Sequence, residues 1–282
     1  MRVNQLSNEV EYVYDSISEM AEVGLSYLDV FLKGRNFRED WHGVNSREEV
    51  RKLASEGWIS EAEDAMEIAA ESVDLVDREH DLTGFRSIWD VAGCEVDVGR
   101  YLAKEPENMI NYEIVPTTRS GRVIVLCASV AYSSVVSVDS IKKRGHGIAA
   151  LAFALSKLGF SSELWADVSI NSEGKKSHEG KFSGRFRVQV KGSNDAVDPA
   201  FIMFAFCHPA MLRALVLPAM HEIPSRFHGP LDIGRKYGLP ADPKEDLPDG
   251  AIYLPSVRSE VDVPNVQEAL LGYLRLLGIL ED

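Results

Sequence analysis

RVIVLCASVAYSSVVSVDSIKKRGHGIAALAFALSKLGFSSELWADV, residues 122–168, reads as strand, loop, helix and strand in that order. Arg122–Cys127 is a short, nearly continuous apolar run, the pattern of a strand covered on both faces. Gly145–Leu158 sets Gly145, Gly147, Ala149, Ala150, Ala152 and Ala154 beside Ile148, Leu151, Leu155 and Leu158. Side chains this small let a helix axis lie close to a sheet. Gly159 stops the helix, and Ser162–Ile170 begins a second strand. The result is a β-loop-α-β unit whose loop leaves the carboxyl end of the first strand, where open α/β sheets bind ligands.

Downstream, Leu164–Ile170 and Gly184–Val190 read as a hairpin. Arg185, Arg187, Gln189 and Lys191 alternate with Phe186, Val188 and Val190, the period of a half-exposed strand. His178, in the polar connection, reads as a solvated loop histidine. Asp198-Pro199 is a helix start for Ala200–Cys207, and His208-Pro209 starts a second helix, Ala210–Leu217, which Pro218 bends or ends. Residues 221–250 are rich in Pro, Gly and charge. Ala251–Leu254 then reads as a short buried strand, and a last helix runs from Asp262/Pro264 through Leu277.

Upstream, residues 1–82 read as helical and acidic. Val13–Leu32 and Ser46–Asp81 carry apolar residues at helical spacing. Ser46-x-x-Glu49 is a capping box, Ser60-x-x-Glu63 a weaker match, and Gly57-Trp58 separates two helices. Trp41, His42 and Gly43 read as a structural aromatic hook under a turn. Residues 83–121 connect the two halves, with an edge strand at Tyr112–Val115. Asp90 and Asp97 are expected to be exposed, to cap a helix, or to pair with Arg86 or Arg100.

This layout resembles the first half of a von Willebrand factor A-type domain, closest to the version found in cobalt-chelatase-like proteins. The hairpin fits too, because that fold's sheet carries one antiparallel edge strand. In that family the first strand ends in Asp-x-Ser-x-Ser, whose oxygens hold a divalent metal, and a Gly-x-x-x-Glu-like opening follows, comparable to Gly159–Glu163. Here the Asp falls at Cys127, the first Ser at Ser129 and the second at Ala131. The resemblance therefore implies a lost metal site, since Mg²⁺ takes carboxylate, hydroxyl and water oxygens. Ser133, Ser134 and Asp139 lie further along the same loop and are the residues from which a site would be rebuilt. In overall character the chain also resembles proteins of bacterial phages and mobile elements.

The chain has 282 residues, 45% of them hydrophobic and 26% charged. That is ordinary globular composition, and no stretch approaches the roughly 20 apolar residues of a membrane span. The opening MRVNQLSNEVEYVYDS has no apolar core behind a basic end, so no secretory leader is expected. Cys94, Cys127 and Cys207 lack metal or disulfide spacing and read as free thiols, which places the chain in the cytoplasm. A net charge of −14 opposes non-specific nucleic-acid binding. Lys142, Lys143 and Arg144 form a local basic cluster, the candidate anion or nucleic-acid contact. Gly145 and Gly147 with Arg144 offer a phosphate cradle at a helix start, but about fifteen residues separate it from the strand. His208, His221 and His228 are the candidate zinc ligands, with Asp232 as a substitute. Ser225 stands where a zinc-protease motif begun by His221-Glu222 needs its second histidine.

The expected fold class is α/β: a doubly wound, mostly parallel sheet with helices on both faces, A-type-like over 83–282, with a helical section at 1–82. The expected function is non-catalytic, a protein-binding or assembly factor using the strand-end loop with Cys127, Ser129, Ser133, Ser134 and Asp139. The resemblance suggests a ring ATPase as partner, with self-assembly as another arrangement, and no cofactor is expected. Two alternatives stand beside it. One is a metal-dependent hydrolase or nuclease, using Mg²⁺ at Ser129, Ser133 and Asp139 or Zn²⁺ around His208 and His221. The other is a nucleic-acid-binding protein acting through Lys142, Lys143 and Arg144.

Overall fold

The expected strand, small-residue helix and strand form the middle of the molecule, and the chain before them supplies more than helices. The computed structural model describes residues 1–80, 85–114, 123–132, 136–172, 181–242, 251–259 and 263–280. Two strands open the chain, β1 (Arg2–Gln5) and β2 (Glu9–Tyr14), paired antiparallel. Val10, Tyr12 and Tyr14 are buried at every second position, so alternation wins over the helical spacing that was read as starting at Val13. Helix α1 (Ile17–Leu32) is capped by Ser16, whose Oγ accepts from the Glu19 N–H. The single turn α2 (Glu39–His42) follows. Helix α3 (Arg47–Glu56) starts at Ser46, whose Oγ accepts from the Glu49 N–H at 3.1 Å. The Glu49 carboxylate reaches the N–H of Asn45 instead of Ser46, so half of the expected capping box forms. Helix α4 (Ile59–His80) begins beyond Gly57 and holds Ser60 within its first turn.

Strands β3 (Phe85–Asp90) and β4 (Glu95–Val96), helix α5 (Val98–Leu102) and strand β5 (Met109–Ile114) build a small antiparallel sheet of order β3-β5-β4. Strand β5 is its middle strand, not the edge strand expected at Tyr112–Val115; Val115 is outside the described residues. Asp97 caps α5 through Oδ1 and accepts from Trp89 Nε1 at 3.0 Å through Oδ2.

The remaining elements are β6 (Val123–Ser129), α6 (Val138–Lys157), β7 (Ser161–Asn171), β8 (Ser183–Lys191), α7 (Pro199–Cys207), a π-helix (Met211–Val216), α8 (Leu217–Ala219), a 3-10 turn (Met220–Glu222), α9 (Ser225–Leu231), β9 (Leu239–Pro240), β10 (Ile252–Leu254) and α10 (Val266–Leu276). The central sheet has the order β1-β2-β8-β7-β6-β10, with β9 joined to the end of β7. Strand β6 runs parallel to β7 and β10, and β2 runs parallel to β8. The architecture is mixed α/β with a mostly parallel central sheet flanked by helices, the expected class. Strand β8 is antiparallel to β7 as expected, but β2 and β1 extend the sheet beyond it, so it is not an edge. Residues 2–14 therefore belong to the central sheet, and a boundary at 82/83 does not separate a helical section from it.

One hydrophobic cluster runs from Val10 to Leu274 and joins the N-terminal helices to the sheet. Helix α7 is buried at Ala200 and from Ile202 to Cys207, with Phe201 half-buried, as a helix apolar on every side must be. The small residues of α6 serve helix–helix contact. A Cβ on Gly145 would lie 1.9 Å from Cys207 Sγ and 2.9 Å from the Phe206 carbonyl carbon, and one on Gly147 would lie 2.9 Å from Ala269 Cβ. Neither glycine is a phosphate cradle. Gly145→Ala is expected to destabilise the fold by about 2–3 kcal/mol through overpacking. Gly272, on the exposed face of α10, has nothing within 4 Å of its Cβ position, and Gly272→Ala should stabilise by about 0.5–1 kcal/mol. Urea unfolding of both variants checks the contrast; equal effects would refute the close α6–α7 crossing. No single helix among the described residues is long and apolar enough to cross a membrane.

Candidate functional site

The carboxyl ends of β6 and β7 open onto a cleft of about 1230 Å³, bounded on one side by residues 31–42 and on the other by residues 234–240. Both boundary segments are shaped by left-handed backbone. Helix α1 ends at Lys33, φ +52°, and Gly34, φ +74°, turns the chain away. Asp232, Gly234, Tyr237 and Gly238 all have positive φ, which folds their loop back until β9 pairs with Ile170 and Asn171. A Cβ on Gly238 would sit 2.9 Å from Ile170 Cβ, so the loop lies as close to β7 as glycine permits. Lys33 Nζ donates to the Gly234 carbonyl at 2.7 Å, and the rings of Phe31 and Tyr237 are 5.8 Å apart, joining the two segments.

The third wall is the π-helix, α8 and the 3-10 turn that follows them. Pro218 has no N–H to give a helical partner, and Leu217 N–H donates five residues back, to Leu212. The lining takes Leu212, Leu217 and Met220 from this wall and Val168 and Ile170 from β7. Set among these apolar groups are seven cations. Lys33, Arg35 and Arg38 follow α1, Arg213 lies in the π-helix, Arg235 and Lys236 belong to the returning loop, and Arg258 follows β10. Among the described residues no Asp or Glu lines the cleft. In a chain of net charge −14 this is a local reversal of sign.

Arg213 is the cation that defines the site. It is 5% exposed, its Nη1 donates to the Trp41 carbonyl at 2.8 Å, and its Cζ lies 5.1 Å from the Trp41 ring centroid. Among the described residues no carboxylate lies within salt-bridge distance of it. Burial lowers its pKa, and the Tyr132 side chain acts in the opposite direction. A buried guanidinium without a counter-ion is costly unless an anion joins it. His42 sits beside it with Nδ1 accepting from the Arg38 N–H at 2.9 Å; burial lowers its pKa, and the charges of Arg213 and Arg38 act the same way. The Arg38 backbone and Asp40 act against that lowering, and the fixed positive charge of the cleft comes from Lys and Arg.

The residues singled out in the sequence are dispersed. Ser133 and Ser134 lie outside the described residues, as does His178. Ser129 is fully buried and its Oγ accepts from the Ala131 N–H, while Asp139 is exposed in the first turn of α6. Cys127 is buried beside Asp167 and Arg185, and burial pushes its thiol up to about 12, the opposite of what a nucleophile needs. Cys127, Ser129 and Ala131 offer a divalent cation one hydroxyl, already accepting a hydrogen bond, so they do not fit the metal of the A-type motif.

The basic run does not form one patch. Lys142 pairs with Glu61 at 3.2 Å and lies over Trp58; Arg144 is buried, donating to the Leu254 and Pro255 carbonyls; Lys143 is exposed. His208 is buried against Trp58 and accepts from the Ala210 N–H. His221 and His228 are neighbours, 6.3 Å between ring centroids, but His221 is held by the Tyr237 hydroxyl and His228 by the Ile223 carbonyl. Among the described residues no three His, Cys, Asp or Glu converge as a metal site.

On the sheet face opposite the helical core, Asp167 is fully buried and accepts from Arg185 Nε at 2.6 Å, Ser169 Oγ at 2.9 Å and the Tyr253 hydroxyl at 3.0 Å. Burial raises its carboxyl, and these three donors pull it back. Glu11 pairs with Arg187 at 2.7 Å at the edge of the same group. The group ties β2, β7, β8 and β10 to one another through buried side chains, so it reads as structural.

Neither a curated protein nor a solved structure matches this chain. The family model described as a domain of unknown function, DUF7192, matches residues 2–281, and the chain belongs to that family.

Proposed function

We propose that the protein is a non-catalytic binding factor that holds an anionic ligand in the cleft at the carboxyl ends of β6 and β7. The observation that carries this reading is Arg213, buried, charged and without a carboxylate partner among the described residues, in a cavity lined by six further cations. The location agrees with the expectation that strand-end loops do the binding, although the residues differ from those first expected. The A-type-like reading draws support from the antiparallel pairing of β8 with β7, although β8 is an inner strand and not an edge. Non-catalysis draws support from the thiol of Cys127 and the hydroxyl of Ser129, both buried in structural contacts.

The test is thermal unfolding with sodium tripolyphosphate against sodium chloride at equal ionic strength. A ligand of the folded state at 100 times its Kd adds about 2.7 kcal/mol. The parent protein should be stabilised by tripolyphosphate beyond the chloride control. Arg213→Met should lose that response while its own stability stays within about 1 kcal/mol of the parent, because an apolar replacement for an unpaired buried charge is close to neutral. An unchanged response in Arg213→Met, or none in the parent, refutes the assignment.

A further inference from the structure

The cleft holds more positive charge than one small anion needs and more apolar surface than a bare phosphate chain can use. Arg38 is paired with Asp40 at 2.6 Å, and Arg258 has Asp242 at 3.7 Å. Lys33, Arg35, Arg213, Arg235 and Lys236 have no carboxylate within 4.0 Å among the described residues. Five such charges around one cavity call for a ligand with several negative groups close together. Consecutive phosphates meet that demand; the carboxylates of an extended peptide, spaced by about 3.3–3.6 Å of chain per residue, spread beyond it.

The apolar lining sets the second requirement. Phe31, Ile170, Leu217 and Met220 present hydrocarbon and ring surface in the same cavity. At about 1230 Å³ it exceeds the roughly 300–1,000 Å³ of ordinary small-ligand pockets. A planar, weakly polar ring packs on such a wall. A long nucleic-acid strand would satisfy both demands locally but would run out over a surface whose whole-chain charge is −14. A compact ligand stays inside the cleft.

We propose that the ligand is a nucleoside polyphosphate, with its phosphates on Arg213 and the cations of the two boundary segments and its base against the Phe31 wall. This rests on the anion-binding reading of the same cleft and adds to it a required ring.

Isothermal titration calorimetry of the full chain against ATP, GTP, CTP, UTP, tripolyphosphate and a short single-stranded oligodeoxythymidylate tests it. At least one nucleoside triphosphate should bind about tenfold or more tighter than tripolyphosphate. Phe31→Ala should remove that margin, weakening the nucleoside triphosphate about tenfold more than it weakens tripolyphosphate. Arg35→Glu with Lys236→Glu, two exposed positions whose change spares the core, should weaken nucleotide and tripolyphosphate alike. Equal affinity for nucleotides and tripolyphosphate overturns the nucleotide and leaves the anion cleft standing. A margin that survives Phe31→Ala, or binding by the oligonucleotide alone, also overturns it. Binding by none of the probes overturns both readings.

Discussion

Asp167→Ala is expected to destabilise the protein by about 3–5 kcal/mol, the cost of removing one partner from a buried ion pair. Asp167 is fully buried, and the Arg185 side chain that donates to it is 10% exposed. Taking the carboxylate away removes the shortest ion pair that guanidinium makes among the described residues and leaves Glu11 at 3.8 Å. It also strips the Ser169 and Tyr253 hydroxyls of their shared acceptor. Burial opposes the charge of Arg185, and the carboxylate, by its charge and its hydrogen bond, raises the pKa again. The charged pair is the state this network is built for.

The loss should depend on charge, which separates an ion pair from simple packing. Asp167→Asn keeps an acceptor for Ser169 and Tyr253 but removes the carboxylate charge beside Arg185, and should fall between parent and alanine variant. Asp167→Leu combined with Arg185→Met removes both charges together, and should recover most of the stability lost in Asp167→Ala. Urea unfolding at pH 7 measures the set. A loss below about 1 kcal/mol in Asp167→Ala would show that the network is not what ties these strands together. The same strand positions matter to the cleft: Val168 and Ile170 line it from the other face of β7, so the network holds one of its walls in place.

The β6-α6-β7 unit was legible because its signals are local. An apolar run, a stretch of small residues and a stop at Gly159 need no distant partner to be read. Strand β2 escaped the reading because Val13, out of step with the alternation of Val10, Tyr12 and Tyr14 and buried like them, joins the apolar spacing that runs on to Leu32. Lys142, Lys143 and Arg144 looked like a patch in the sequence, but consecutive residues on a helix point in different directions. One meets Glu61, one meets solvent and one meets backbone carbonyls. The cleft escaped notice for the opposite reason: its cations come from positions 33–38, 213, 235–236 and 258, which no local pattern joins. One signal was present. Between Asp198 and Glu222, Arg213 is the single Lys, Arg, Asp or Glu in a run otherwise apolar enough to be core. A lone arginine in such a run needs a partner, and the sequence around it supplies none.

Stability should also fall between pH 6.5 and pH 4 through His208. Its ring is 7% exposed, lies 4.5 Å from the Trp58 centroid and takes the Ala210 N–H on Nδ1. Burial lowers its pKa to about 4, and Lys142 acts in the same direction. Lys142 is itself paired with Glu61 at 3.2 Å. The folded protein therefore holds the imidazole neutral while the unfolded chain takes a proton near pH 6.5. The contribution is fully present above pH 6.5 and is lost as pH falls toward 4, about 3 kcal/mol over the interval. Burial also lowers the pKa of His42, His146 and His221, which adds loss of the same sign. Carboxylates titrate over part of this range, so the informative quantity is the difference between parent and His208→Asn. The Asn amide oxygen can accept the Ala210 N–H as Nδ1 does, but it has no proton to gain. His208→Asn should be the less stable protein at pH 7.5 and lose less stability than the parent between pH 6.5 and 4. Parallel urea-derived stability curves for the two would show that the buried imidazole is not a source of acid sensitivity. Gly43 packs against His208, its Cβ position 2.9 Å from Cε1, and the next residues back are His42 and Trp41 of the cleft. Charging this ring would therefore loosen the segment that carries the backbone partner of Arg213, so anion binding should weaken over the acid end of the same range.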